Sequence, residues 1–294
     1  MFDIKDIKEA FTVDEALKLL NENPDLRIIA GGTDVLVKIR DGKMADGELL
    51  SIHMIDELKT IELLEDETIK IGALATFSDI AHNDIIIERI PYLAEACLTP
   101  GGPQLRNAAT VGGNVCNAAP SADSAPALFT LDATVEVAST EGYRQVPITE
   151  FYVGLGQVDM IPNEMVTAFY ISKENYEGYV GHYYKYAMRN AMDIALSSCG
   201  VNVKLDDDFH MESIKACYGV ASTTPIRVYK AEEEFTGKKL DEDTAKAFAK
   251  KALEELSPRD SWRASKEVRT QVLYEICVRS LLDCLEKKKG LVNA

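Results

Sequence analysis

The chain has 294 residues, with 48 acidic and 32 basic side chains and a formal net charge of -16. An acidic surface of that size argues against nucleic acid and anionic membranes as partners, and no apolar run approaches the roughly 18 residues of a membrane span. A hydrophobic content of 46% can build a core for one large domain or two ordinary ones.

The opening Met1-Phe2-Asp3-Ile4-Lys5-Asp6 has no basic region followed by an apolar one. No signal peptide is therefore expected, the thiols are expected to be reduced, and the location cytoplasmic. Thr12-Val13-Asp14-Glu15 reads as a capping box. It opens an amphipathic helix with Ala16, Leu17, Leu19 and Leu20, which Asn23-Pro24 ends. Residues 27–30 read as a short strand, Gly31-Gly32-Thr33 as a turn and 34–40 as a short helix. Strands are predicted at 49–52, 61–64 and 68–74, the last two joined across Asp66-Glu67. Residues 91–98 read as a helix with Pro91 in its first turn. Residues 134–138 and 143–148 read as a hairpin around Glu141-Gly142, and 165–171 as a further strand. A domain boundary is placed in the polar stretch 172–181. Beyond it, 194–205 and 214–220 read as strands joined across Asp206-Asp207-Asp208, and 241–256 and 266–288 as helices. The class is α+β, without a regular βαβ alternation.

Common catalytic signatures fail. Gly154-Leu155-Gly156 lacks the third glycine of the Rossmann fingerprint, with Asp159 in its place, and no P-loop is present. There is no G-x-S-x-G for a hydrolase. The six cysteines are too widely spaced for zinc-ribbon or iron–sulfur ligand runs. What remains is a pair of glycine-rich segments about eighty residues apart, Arg27-Ile28-Ile29-Ala30-Gly31-Gly32-Thr33-Asp34 and Ala109-Thr110-Val111-Gly112-Gly113-Asn114. Paired glycines let the backbone bend sharply and expose N–H groups, and a nest of N–H groups suits a phosphate. Two such nests suggest a ligand with a pyrophosphate at its middle, a dinucleotide. The alternative at Gly31-Gly32 is a plain strand-to-helix turn. After the second pair, Asn117, Ser121, Asp123 and Ser124 add groups suited to sugar and ribityl hydroxyls.

Ala30-Gly31-Gly32-Thr33-Asp34 with Thr110-Val111-Gly112-Gly113-Asn114 resembles the FAD-binding subunit of the molybdenum hydroxylases. This is the group of xanthine dehydrogenase, aldehyde oxidoreductase, carbon monoxide dehydrogenase and nicotinate dehydrogenase. The likeness runs from Phe2-Asp3 through the C-terminal helices. Three later segments sharpen it: Tyr184-Lys185-Tyr186-Ala187-Met188-Arg189-Asn190-Ala191-Met192-Asp193-Ile194, Tyr218-Gly219-Val220-Ala221-Ser222-Thr223-Thr224-Pro225-Ile226-Arg227 and Pro258-Arg259-Asp260-Ser261-Trp262-Arg263-Ala264-Ser265-Lys266. They resemble the separate flavin subunit of bacterial xanthine dehydrogenases more than those of other branches. The resemblance implies an FAD-binding domain over 1–175, of vanillyl-alcohol-oxidase-like type, with two α/β subdomains at about 1–56 and 57–175. A smaller α+β domain with a three-stranded sheet and helices would occupy 176–294.

The resemblance also implies a site. Arg27, Ile28, Ile29, Ala30, Gly31, Gly32, Thr33, Asp34 and Val35 would wrap the pyrophosphate, mostly through backbone N–H groups. A Cβ at Gly31 or Gly32 would collide with phosphate oxygens, and Val35 would pack on the flavin ring. Ala109, Thr110, Val111, Gly112, Gly113 and Asn114 would form a second cradle. Asn117 and Asp123 match positions that bind the cofactor's polar groups, Asp123 meeting a hydroxyl or ring N–H. Met165 and Val166 match an adenine contact or an apolar wall. Tyr184 and Lys185 match positions beside the flavin, where a cation would stabilise the reduced ring; the alternative is a surface lysine in a strand. No catalytic acid or base and no metal ligand is expected. Thr99-Pro100-Gly101-Gly102-Pro103, before Gln104, lacks the aromatic that some members place over the ring. Phe151-Tyr152-Val153-Gly154-Leu155-Gly156-Gln157 matches a segment guarding the nicotinamide side. Arg189 is either a cation near the ring or part of a salt bridge, and Cys116 reads as a packing residue.

The functional expectation is an FAD subunit of a multi-subunit xanthine dehydrogenase-like hydroxylase. A molybdopterin subunit and a [2Fe–2S] subunit would be its partners, in a dimer of heterotrimers, with NAD+ as electron acceptor. The alternatives are a sister enzyme acting on nicotinate, an aldehyde or carbon monoxide, a stand-alone flavin oxidoreductase, and a non-catalytic assembly module.

Overall fold

The computed structural model of the chain describes residues 3–292; Phe2, where the family likeness begins, lies outside them. The first elements are β1 (Ile4–Glu9), α1 (Val13–Glu22), β2 (Arg27–Ile29), α2 (Val35–Arg40) and β3 (Gly47–Ser51). The three strands form a parallel sheet in the order β1-β3-β2. Thr12 caps α1 by accepting the Glu15 N–H at 3.1 Å, while Glu15 reaches back to the N–H of Phe11, one residue beyond the expected partner. Val13, Ala16, Leu17 and Leu20 recur at helical spacing and bury one face of α1. They pack with Leu26, Leu50 and Ile52 into a first core, which Met165 also enters.

Next come β4 (Ile61–Leu63), β5 (Ile69–Gly72), and the helices α3 (Phe77–His82), α4 (Asp84–Arg89), α5 (Pro91–Leu98), α6 (Pro103–Arg106), α7 (Val111–Cys116) and α8 (Ala125–Thr130). The hairpin β6 (Thr134–Ser139) and β7 (Gly142–Pro147) follows. Then come α9 (Ile148–Phe151), the small ribbon β8 (Tyr152–Gly154) with β9 (Gln157–Val158), and β10 (Met165–Ile171). An antiparallel sheet runs in the order β4-β5-β10-β6-β7. As its central strand, β10 is covered on both faces, so its Met-Val-Thr-Ala-Phe-Tyr-Ile run is apolar nearly throughout. Alternation along the strand sends Met165 into the first core and Val166 into a second, built with α3, α5 and α8.

The remaining elements are β11 (Tyr179–Tyr186), β12 (Ser197–Leu205), β13 (Met211–Gly219), β14 (Ile226–Arg227), α10 (Tyr229–Phe235), α11 (Glu242–Ala252) and α12 (Lys266–Val292). The sheet β11-β12-β13-β14 is antiparallel, the two-residue β14 extending the three expected strands. Phe248 of α11 and Leu273 and Leu281 of α12 pack with Val201 and Val203 in a third core. Polar contacts tie this unit to the preceding one. Arg227 donates to the Phe129 carbonyl (2.8 Å) and to Asp132 (2.6 Å), and Lys215 pairs with Asp132 at 2.7 Å. Among the described residues, no helix is long and apolar enough to cross a membrane.

Candidate functional site

The parallel sheet and the five-stranded sheet meet along a cavity of about 590 Å³. Its walls include Arg27, Ile28, Ala30, Gly31, Gly32, Thr33, Asp34 and Val35 from the first glycine segment. Ala109, Thr110, Gly112, Gly113, Asn114 and Asn117 come from the second, and Met165 and Val166 from β10. Five of the expected positions lie elsewhere. Ile29 alternates with Ile28 along β2 and takes the other side. Val111 is fully buried in the second core. Asp123, Tyr184 and Lys185 do not line the cavity either.

The two glycine segments, alike in sequence, differ in what they leave open. In the first, the N–H groups of Gly31, Gly32, Thr33 and Asp34 donate to no acceptor among the described residues. Gly32 adopts φ 73°, the left-handed region that disfavours a side chain. At Gly31 the constraint comes from within the protein: a Cβ would sit 1.6 Å from the Ala108 carbonyl oxygen. The second segment also lines the cavity, but as a capped helix start whose N–H groups have partners within the chain. Val111 and Gly112 donate to the carbonyls of Ala75 and Ala73, at 3.0 and 2.9 Å. Gly113 donates to the Thr110 hydroxyl and Asn114 to the Thr110 carbonyl. Those N–H groups are occupied before any ligand arrives. The acceptors lie on the segment after β5, far away in sequence, so no local pattern announces them.

Several wall residues escape a motif-based reading. Leu20, Leu26, Ile52 and Leu74 supply an apolar side, and Val158, Met160, Ile161, Pro162 and Glu164 a loop over it. Arg144 of β7 pins that loop. Its guanidinium donates to both Glu164 oxygens (2.8 and 2.9 Å), to Asp159 Oδ2 (2.8 Å) and to the Asp159 carbonyl (2.6 Å). The pairing holds the Glu164 carboxyl below its usual range. Lys38, one turn into α2, also lines the cavity, and its Nζ donates to Asn117 Oδ1 at 2.7 Å. The only sequence signal for Lys38 is a cation one turn after the glycine turn. Burial pushes the Cys116 thiol up to about 12, so this wall residue is no nucleophile near neutral pH.

Asp123 and Lys185 form a buried pair beside the cavity wall. Lys185 Nζ donates to Asp123 Oδ2 at 2.8 Å and to the Thr99 carbonyl at 3.2 Å, and the Tyr183 hydroxyl donates to Asp123 Oδ1 at 2.8 Å. Burial raises the Asp123 pKa, and Lys185 and Tyr183 draw it partly back. The wall is one contact away: Ser124, next in chain, donates to Asn114 Oδ1 at 2.8 Å. Tyr184 faces the opposite side of β11 and packs on the third core. Arg189 is taken up locally, by Asp193 and the Met192 carbonyl. Gly156, in the β8–β9 ribbon, donates to the Ala118 carbonyl at 3.1 Å.

These features suit a dinucleotide such as FAD. Four unpaired N–H groups and the Lys38 ammonium can take an anion, and the apolar side can take a flat ring. Among the described residues no cluster of His, Cys, Asp and Glu could hold a metal ion.

The family model for the FAD binding domain in molybdopterin dehydrogenase matches residues 3–173, and that for the CO dehydrogenase flavoprotein C-terminal domain matches residues 182–284. The chain is 38% identical over 290 residues to the xanthine dehydrogenase FAD-binding subunit of Escherichia coli O157:H7, covering 99% of each. It is 33% identical to the nicotinate dehydrogenase FAD-subunit of Eubacterium barkeri, over 80% of this chain and 81% of that one. A chain of quinoline 2-oxidoreductase from Pseudomonas putida 86 shares the fold, with a TM-score of 0.91 at 24% identity, covering 98% and 99% of the two chains. From the paired glycine segments to the last helix, this chain belongs to the FAD-binding subunits of the molybdenum hydroxylases.

Proposed function

We propose that this chain is the flavin subunit of a xanthine dehydrogenase-like complex. It would receive electrons from a [2Fe–2S] partner and pass them to NAD+, while a molybdopterin partner hydroxylates a purine. The observation that carries the cofactor assignment is the set of unpaired N–H groups at Gly31, Gly32, Thr33 and Asp34 on the cavity wall. The choice of xanthine over its sisters is supported by 38% identity along nearly the whole chain to a xanthine dehydrogenase FAD-binding subunit, against 33% over a shorter stretch for the nicotinate relative. The same reading takes 1–175 as the FAD-binding domain, with subdomains at about 1–56 and 57–175, and 176–294 as the C-terminal domain; the third core, drawn wholly from residues 199–285, supports the last of these. Six free thiols and the acidic charge support a cytoplasmic setting.

When bound, FAD would supply transfer of a hydride to NAD+ and of single electrons from iron–sulfur clusters. The chain's own part is binding and orientation. The turn at 31–34 would take the pyrophosphate, and Thr110, Asn114 and Asn117 would offer polar groups along the wall. Met165, Val166 and Leu20 of α1 form an apolar wall that would suit the adenine. Val35 lines the same wall beyond the turn. Lys185 pairs with Asp123 behind this wall, and Ser124, next to Asp123, donates to Asn114.

The first test is the absorbance spectrum of the purified chain, with the released flavin identified by chromatography. Bands near about 370 and 450 nm with one FAD per chain are expected. A colourless protein that takes up no added FAD sinks the reading. Co-purification of iron, molybdenum and purine-dependent NAD+ reduction with the native complex tests the partner and substrate assignments. Activity confined to nicotinate would move the chain to the sister branch.

A further inference from the structure

We propose that Lys38 is the charged anchor of this site: its ammonium binds the pyrophosphate of the dinucleotide, and Asn117 holds it in place. The inference rests on the FAD reading above and adds the residue that neutralises the ligand's charge. Three observations carry it. Lys38 lies one turn after the glycine turn, its N–H donating to the Asp34 carbonyl at 2.9 Å. Side chains on a helix lean toward its N-terminus, so Lys38 leans back over the turn, and it lines the same cavity.

Among the described residues, the one polar contact of its side chain is neutral. Nζ donates to Asn117 Oδ1 at 2.7 Å, and no carboxylate of the described residues lies within 4.0 Å. In a chain with 48 acidic side chains, many lysines pair, as Lys59, Lys173, Lys215 and Lys246 do. An ammonium has three donors; Asn117 takes one and leaves two. The acidic side chains of the walls do not pair with it. Glu164 is engaged by Arg144, and Asp34 forms no ion pair with Lys38. Finally, Gly31, Gly32, Thr33 and Asp34, whose N–H groups are unpaired among the described residues, line the same cavity as Lys38. An ammonium beside a set of N–H donors is a common way to bind phosphate. The contact to Asn117 joins α2 to the C-terminal end of α7, so the anchor also couples the two glycine segments.

The test is the affinity of the flavin-free chain for FAD and for ADP, across a range of salt concentrations. Lys38→Met, Lys38→Arg and Asn117→Ala would be compared with the parent. Lys38→Met is expected to raise both dissociation constants by about 10–100-fold, the worth of a charge-assisted contact, and to flatten their salt dependence. Lys38→Arg should restore most of the loss, and Asn117→Ala should give a smaller one. Unchanged affinity in Lys38→Met overturns the proposal, as does a loss with unchanged salt dependence or one that arginine does not rescue. A parent chain that binds neither FAD nor ADP overturns the FAD reading itself, and this inference with it.

Discussion

Gly31 illustrates how a motif residue can be required for a reason other than its ligand. The resemblance explains it by phosphate oxygens, but the Ala108 carbonyl would already meet a Cβ at 1.6 Å. That carbonyl belongs to the chain just before the second glycine segment, so the contact locks the two together. Gly31→Ala is expected to lower stability by at least the ~1–3 kcal/mol typical of overpacking, seen as a reduced Tm even without FAD. Gly290→Ala is the control: among the described residues nothing lies within 4 Å of its Cβ position in α12, and it should stabilise by up to about 1 kcal/mol. Equal Tm for Gly31→Ala and the parent, with only FAD affinity lost, would return the phosphate explanation to first place. Lys185 shows the same limit of sequence reading. Its position in a strand is legible, but its partner Asp123 lies 62 residues away, and only the fold reveals that the cation is neutralised.

At the scale of elements, the loop 159–164 depends on β7 for its shape. Arg144 spans Asp159 and Glu164, and Glu164 in turn accepts the Ile161 N–H at 2.9 Å. Arg144→Met should free the loop, raising the amide exchange rate of Ile161 by roughly tenfold, as losing about 1.4 kcal/mol would, and speeding FAD release. Native protection at Ile161 in the variant would show that the loop holds itself. The sign with pH follows from Glu164, whose folded pKa is depressed chiefly by its bonds to Arg144. Its stabilisation is present above the unfolded value of about 4.3 and lost as pH falls through the lower folded one. The difference between parent and variant should therefore fade below about pH 4. Elements with local signals, such as the β6–β7 hairpin, the apolar run of β10 and helix α5, are legible in the sequence. The helix α7 is not, because its first N–H groups are satisfied by Ala73 and Ala75 from another part of the chain.

Over the whole molecule, the buried Arg227 fastens the C-terminal sheet to the end of α8. Arg227 is bound by Glu232 through two contacts of 2.7 Å and reaches the Phe129 carbonyl and Asp132. Arg227→Met leaves Glu232 buried without its cation, a change that costs about 3–5 kcal/mol. The expected result is a clear shift in the denaturant midpoint, and an unshifted midpoint would mean that Glu232 finds another partner or takes up a proton. The sequence by itself determined the α+β class, most of the strands and helices, and the family through its paired glycine segments. Those signals depend on neighbouring residues, where spacing, caps and turn chemistry act. The tertiary structure alone decided which glycine segment is open and which is closed, that Lys38 and the Arg144 loop line the cavity, and that Asp123 neutralises Lys185. Each of those is a contact between residues distant in sequence, whose hydrogen bonds and charges find partners only when the chain is folded.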